Sequence, residues 1–212
     1  MDSLPTNSYL VTPNHGNMND VVVLPAVMRG KREGYLATDG LFKLAGGLGG
    51  LVLGKMGIIP VTLDKGKGAA ARDTAIECLV RGIPLVLWPE GYSYCDGSMG
   101  VFKKGAVLIA AEAARRLGQT TYIVPVYLRY GRYPGHWIRK VRIELQYVLC
   151  FLLWPLYRRG CTVVIGEPVP SNMLPADPDG QIGELATHML KREVCKLDPA
   201  RLADADAPPA TH

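Results

Sequence analysis

Asn14–His15–Gly16–Asn17–Met18–Asn19–Asp20 sets a histidine and an aspartate five residues apart, between one apolar run and the next. Histidine titrates near neutrality. A carboxylate on one ring nitrogen holds it as N–H and leaves the other nitrogen as a base, which suits removing a proton from an alcohol. A His-x4-Asp pair also arises by chance, and a histidine capping a helix is the plain alternative. Further along, Trp88–Pro89–Glu90–Gly91–Tyr92–Ser93–Tyr94 places a carboxylate in a turn directly after an apolar run. Phe102–Lys103–Lys104–Gly105–Ala106 then opens a helical pattern, and Ile123–Val124–Pro125–Val126 follows it.

Other chemistries lack their signatures. The glycines at 46, 47, 49, 50 and 54 give no G-x-G-x-x-G, and Gly66–Lys67–Gly68 has no phosphate-loop spacing. Ser98 lies between Gly97 and Met99, so no G-x-S-x-G elbow is present. The five cysteines (Cys78, Cys95, Cys150, Cys161, Cys195) are odd in number and include no C-x-x-C. A disulfide framework or a zinc site is therefore not expected, and buried reduced thiols on the cytosolic side are.

The elements that must position these residues alternate between strand and helix. Strands are expected at Tyr9–Asn14, Gly34–Thr38, Ile58–Thr62, Pro84–Trp88, Tyr122–Leu128, Val141–Gln146 and Cys161–Ile165. Helices are expected at Asn19–Met28 (limited or kinked by Pro25), Leu41–Met56, Ala69–Arg81, Phe102–Leu117 and Ile182–Lys196. Arg115 and Arg116 suit the last turn of their helix and Gly118 its end. The alternation predicts one α/β domain, a central mostly parallel or mixed sheet flanked by helices. That domain spans residues 1–197, with 198–212 as a mobile tail rich in Ala, Asp and Pro.

Composition narrows the class. With 48% hydrophobic residues and a net charge of only +5 over 212 residues, the chain is too apolar for intrinsic disorder. Twenty-four Gly and 16 Pro without a period exclude collagen-like sequence. The longest apolar run, near Val148–Tyr157, is about a dozen residues, short of the ~20 that span a bilayer. Nor does Met1–Tyr9, with Asp2 and no apolar centre, read as a signal peptide.

The basic surplus is concentrated. Arg129, Arg132, Arg139, Lys140, Arg142, Arg158 and Arg159 face one acid, Glu144, across a stretch that also holds Tyr130, Tyr133, Trp137, Tyr147, Phe151, Trp154 and Tyr157. Cations interleaved with aromatics around an apolar centre suit an anionic lipid surface, and Trp137, Phe151 and Trp154 are the candidate docking residues. An ordinary core strand with a solvated basic rim is the alternative. No nucleic-acid motif accompanies the charges, so nucleic acid is not an expected partner.

Taken in order, these blocks resemble the lysophospholipid (1-acylglycerol-3-phosphate) acyltransferase family, whose pattern runs N-H-x4-D, G-x-[IF]-x-x-x-R, F-P-E-G-T-R-S with F-K-x-G, and V-P-[VI]. The first, third and fourth blocks are recognisable across Asn14–Val126, and Val164–Ile165–Gly166–Glu167–Pro168 matches the family's last core strand. The resemblance implies that His15 is the general base on an acceptor hydroxyl, with Asp20 orienting it and no enzyme nucleophile. It implies that Glu90, Gly91, Tyr92 and Ser93 shape the acceptor site and that Pro125 walls the acyl-donor groove. The co-substrate would be acyl-CoA or an acylated carrier protein. No metal or bound cofactor is needed, because the thioester is already activated.

Two departures bear on the acceptor. The family's second and third blocks each carry an arginine that clamps phosphate; here those positions are Leu63 and Ser93. Lys65, Lys67 or Arg72 could replace them as point charges. The preferred reading is a lyso-lipid or other alcohol with an uncharged polar head, met by Tyr92 and Ser93. Family members usually carry a membrane-embedded segment before the histidine, whereas His15 follows only 14 residues. The expectation is a peripheral protein on the cytoplasmic face of the membrane, held by the Arg129–Arg159 segment. Two rivals stay open: a thioester or lipid hydrolase using the same pair on water, and a non-catalytic lipid-binding relative.

Overall fold

A computed structural model describes residues 4–6, 8–17, 19–27, 34–38, 58–61, 68–93, 95–141, 143–153 and 160–205. Its strands are β1 (Tyr9–Pro13), β2 (Gly34–Thr38), β3 (Ile58–Val61), β4 (Leu85–Val86), β5 (Tyr122–Arg129), β6 (Thr162–Ile165) and β7 (Val169–Pro170). The described helices are α1 (Asp20–Val27), α2 (Gly68–Val80), α3 (Gly105–Leu117), α4 (Ile143–Leu152), α5 (Glu184–Lys196) and α6 (Leu202–Ala205). Short 3-10 turns occupy His136–Lys140, Ser171–Met173 and Pro199–Arg201.

The strands form one open sheet in the order β3-β2-β4-β1-β5-β6, with β7 also paired to β5. Pairings among β1 to β5 are parallel, while β6 and β7 run antiparallel to β5. A parallel strand covered on both faces must be apolar throughout rather than alternating, and every residue of Tyr9–Pro13 is buried.

Side-chain alternation divides the strands between two cores. Leu10, Leu85, Ile123 and Tyr127 pack with Ile76 and Leu79 of α2, Val107 and Ala110 of α3, and Leu190 and Val194 of α5. Tyr9, Val11, Val86, Val124, Val126 and Leu128 point the other way, onto Val23 and Leu24 of α1. Thus β1 and β5 are gripped from both sides. The loops leaving β1, β4 and β5 all emerge at the carboxyl ends of parallel strands, the edge where open α/β sheets place their ligands.

Two segments differ from expectation. Val141–Gln146, expected as a strand, is extended at Val141, but Ile143–Leu152 is helical. Six residues of apolar–polar alternation fit a strand, but Leu, Glu and Gln favour helix. The Gln146 side chain also donates to the Val141 carbonyl (2.6 Å), closing the first turn. The expected tail is folded in its first part. Asp198 caps the Pro199–Arg201 turn through the Ala200 amide, and Ala205 of α6 is buried. The expected helix Leu41–Met56 and residues 206–212 lie outside the described residues.

Candidate active site

Asn14 fixes the loop that follows β1. Its side chain accepts from the Leu128 amide (2.6 Å) and donates to the Leu128 carbonyl (3.2 Å), extending the β1–β5 pairing by one side-chain rung. Beyond it, Asn17 accepts the Asn19 amide on Oδ1 and begins the turn into α1. That turn puts Asp20 at the first position of the helix, where a carboxylate also suits the dipole.

Asp20 is fully buried, yet its oxygens are well supplied with donors. Oδ2 lies 3.0 Å from His15 Nδ1 and accepts the Asn17 amide at 3.1 Å. Oδ1 accepts the Tyr130 hydroxyl at 2.6 Å. A buried carboxylate is tolerable only when its lone pairs are met in this way. His15 Nδ1 is therefore the N–H end of the imidazole and Nε2 the lone-pair end. The histidine side chain keeps 14% exposure, and its ring lies against Trp88, centroids 5.3 Å apart and tilted by 35°.

Tyr130 comes from the end of β5. Burial, followed by the Asp20 charge and the hydrogen bond to it, pushes its phenol far up, so it stays a donor. Tyr133 braces it, with the hydroxyl 3.3 Å from the Tyr130 amide and the rings in edge contact at 5.7 Å. Cys161 sits beside it, its thiol pushed up to about 11 chiefly by burial.

Glu90 joins the two loops. Its Oε1 accepts the His15 amide (2.7 Å) and Oε2 the Gly100 amide (2.6 Å), so one buried carboxylate clips the backbone of the histidine to the segment entering α3. Burial raises its pKa, and the two amide donors act against that rise. Gly91 turns the chain with φ +67, and an added Cβ would come within 2.8 Å of Lys103 Nζ. The inner wall also holds two donors, Asn17 Nδ2 and Trp88 Nε1, that are buried without an acceptor among the described residues.

His15, Asp20 and Glu90 are thus brought together. Of the expected acceptor residues, Tyr92 and Gly91 are at the surface, whereas Ser93 is buried with its hydroxyl 3.4 Å from Cys95 Sγ. Pro125 is buried within β5 opposite Thr12, in contact distance of Gly166. Trp137 is half exposed. The Phe151 side chain, Trp154, Leu63, Lys65 and Lys67 lie outside the described residues, and Arg72 is exposed on α2. Sequence reasoning missed Tyr130, Trp88 as a ring partner, and Asn14 as a rung. The asparagine directly before the histidine was the one local signal for the last of these. Among the described residues no group of three His, Cys, Asp or Glu could hold a metal ion.

Residues 1–129 match the family profile described as Acyltransferase. Over 115 residues the chain is 27% identical to a chloroplastic 1-acyl-sn-glycerol-3-phosphate acyltransferase of Arabidopsis thaliana, covering 53% of this chain and 31% of the relative. It is 26% identical to a chloroplastic protein of the same description from Brassica napus, covering 53% and 32%. The match therefore spans about a third of the length of these curated relatives. In fold it resembles the crystal structure of the 1-acyl-sn-glycerophosphate acyltransferase PlsC from Thermotoga maritima. The TM-score is 0.55 at 16% identity, over 96% of this chain and 67% of that one.

Proposed function

The chain belongs to the acyltransferase family, and from that premise we propose that it moves a fatty acyl group from an acyl thioester to a hydroxyl of a lyso-lipid or similar acceptor. The observation that carries the proposal is the His15–Asp20 pair at 3.0 Å, with a partly exposed ring whose Nε2 is left as base. In the step proposed, Nε2 takes the acceptor's hydroxyl proton as its oxygen bonds to the thioester carbon. Asp20 stabilises the imidazolium; the C–S bond then breaks, and the imidazolium returns the proton to the departing thiolate. The products are an ester and a free thiol. The donor is acyl-CoA or an acylated carrier protein, and no resident metal or cofactor takes part.

The acceptor's head is proposed to be polar and uncharged, because Leu63 and Ser93 stand where the family pattern has phosphate-clamping arginines. Equal or faster acylation of lysophosphatidate than of a monoacylglycerol would overturn that part. The reaction is placed at the cytoplasmic face of an anionic membrane. In support, Trp137 and, along α4, Leu145, Val148 and Leu152 expose large apolar side chains beside Lys140. No helix among the described residues is long and apolar enough to cross a membrane.

A labelled acyl-CoA assay with a panel of acceptors tests the reaction. His15→Ala is expected to lower turnover by about 10^2–10^4-fold, the usual weight of a general base. Wild-type turnover in that variant would mean that the pair is not catalytic. Fatty acid released without acceptor, in place of ester, would assign the pair to hydrolysis.

A further inference from the structure

A concavity opens next to the clip made by Glu90. The segment leading into α3, the first half of α5 and Ala205 of α6 border an open cavity of about 430 Å³. Phe102 and Ala205 supply apolar wall, Lys104 lines the side of the segment entering α3, and Glu184, His188 and Lys191 line the α5 side along one helix face. Its rim residue Val101 directly follows Gly100, whose amide shares the Glu90 carboxylate with the amide of His15.

Lys191 is the informative residue. It is only 8% exposed, and among the described residues no acceptor pairs with its side chain. Its Nζ is not among the buried unpaired atoms, so the packed stem leaves the ammonium open to the cavity, where an anion can meet it. Lys104 lies near the Asp177 carboxylate, which the Leu185 and Glu184 amides, and to a lesser degree this cation, hold below its ordinary pKa. For Lys191, the carboxylate that shares the cavity wall is Glu184, two turns away along the same helix.

We propose that this cavity receives the phosphate ester of the donor's carrier arm, with Lys191 as its main contact and Lys104 as a second. The charged lining suits a phosphate and the start of an amide-bearing arm rather than a fatty chain. Its place beside Gly100 lets that arm run along the clip towards His15. The proposal rests on the acyl-transfer reading above, but binding tests it without turnover.

Coenzyme A without an acyl group is titrated calorimetrically into wild type, Lys191→Gln, Lys104→Gln and Glu184→Gln. A carrier protein bearing the phosphopantetheine arm and glycerol 3-phosphate are titrated in parallel. Lys191→Gln is expected to weaken coenzyme A or the carrier protein about tenfold, the loss of one charge-assisted contact. The exposed Lys104→Gln should weaken the same ligand, and Glu184→Gln should tighten it, a gain that misfolding cannot mimic. Whichever of the two ligands responds identifies the source of the phosphate. The donor KM should rise in the lysine variants with kcat unchanged. Unmoved affinity for both carriers in all three variants overturns the proposal, as does a change confined to glycerol 3-phosphate. If coenzyme A affinity responds while no acyl transfer is found, the cavity assignment stands and the reaction assignment falls.

Discussion

Replacing Tyr130 with Phe deletes one of the donors that hold Asp20, and leaves a buried carboxylate oxygen short of a partner. A hydrogen bond to a charged group contributes roughly 1.5–3 kcal/mol. The variant is therefore expected to lose about tenfold in kcat with little change in KM for either substrate, because Tyr130 acts through Asp20. Steady-state kinetics beside a melting curve check this, and equal losses in stability and kcat/KM with a raised KM would contradict it. Glu90 gives a signature in pH. Its folded pKa lies above the ordinary value, so the folded state holds that proton more tightly than the unfolded chain does. Its contribution is complete below about pH 4.5 and is lost as pH rises through the folded value. In urea unfolding, the stability gap between wild type and Glu90→Gln should narrow as pH is raised from 4 to 7. The His15–Asp20 pair was legible because its members are five residues apart. Tyr130 was not, since it lies 110 residues from its partner and nothing in its neighbourhood marks it as a donor.

At the scale of elements, α4 carries the clearest prediction. Leu145, Val148 and Leu152 fall at i, i+3 and i+7, a single face, and Leu152 is 66% exposed. Leu145→Asp with Val148→Asp should abolish flotation with anionic vesicles while the melting temperature holds. Unchanged flotation would remove α4 from the docking surface. The same helix shows why its segment misled: Val-Arg-Ile-Glu-Leu-Gln satisfies a period of two over its first six residues, and only the continuation to Leu152 reveals a helix. Loop geometry was equally hidden. Gly97 has φ +79, and an added Cβ would lie 2.5 Å from the Tyr133 ring, a rigid neighbour itself packed on Tyr130. Gly97→Ala should cost about 2–3 kcal/mol through strain and overpacking. Gly91→Ala, whose obstacle is a flexible lysine end, should cost about 1 kcal/mol. Parallel urea titrations separate the two.

For the molecule as a whole, the class of sheet was readable from alternating patterns, but the order of its strands was not. Apolar runs such as Tyr9–Pro13 announce burial on both faces without naming their neighbours. Here β1 sits in the middle of the sheet, between β4 and β5, with Leu10 opposite both Leu85 and Ile123. This strand is thus completed by partners that follow some 75 and 113 residues later. At a synthesis rate of about 5–20 residues per second, a bare apolar ribbon waits on the ribosome for on the order of ten seconds before its second edge is covered. Newly made chains are exposed to mispairing throughout that interval, so the yield of folded protein should depend on chaperones during translation far more than refolding of the finished chain does.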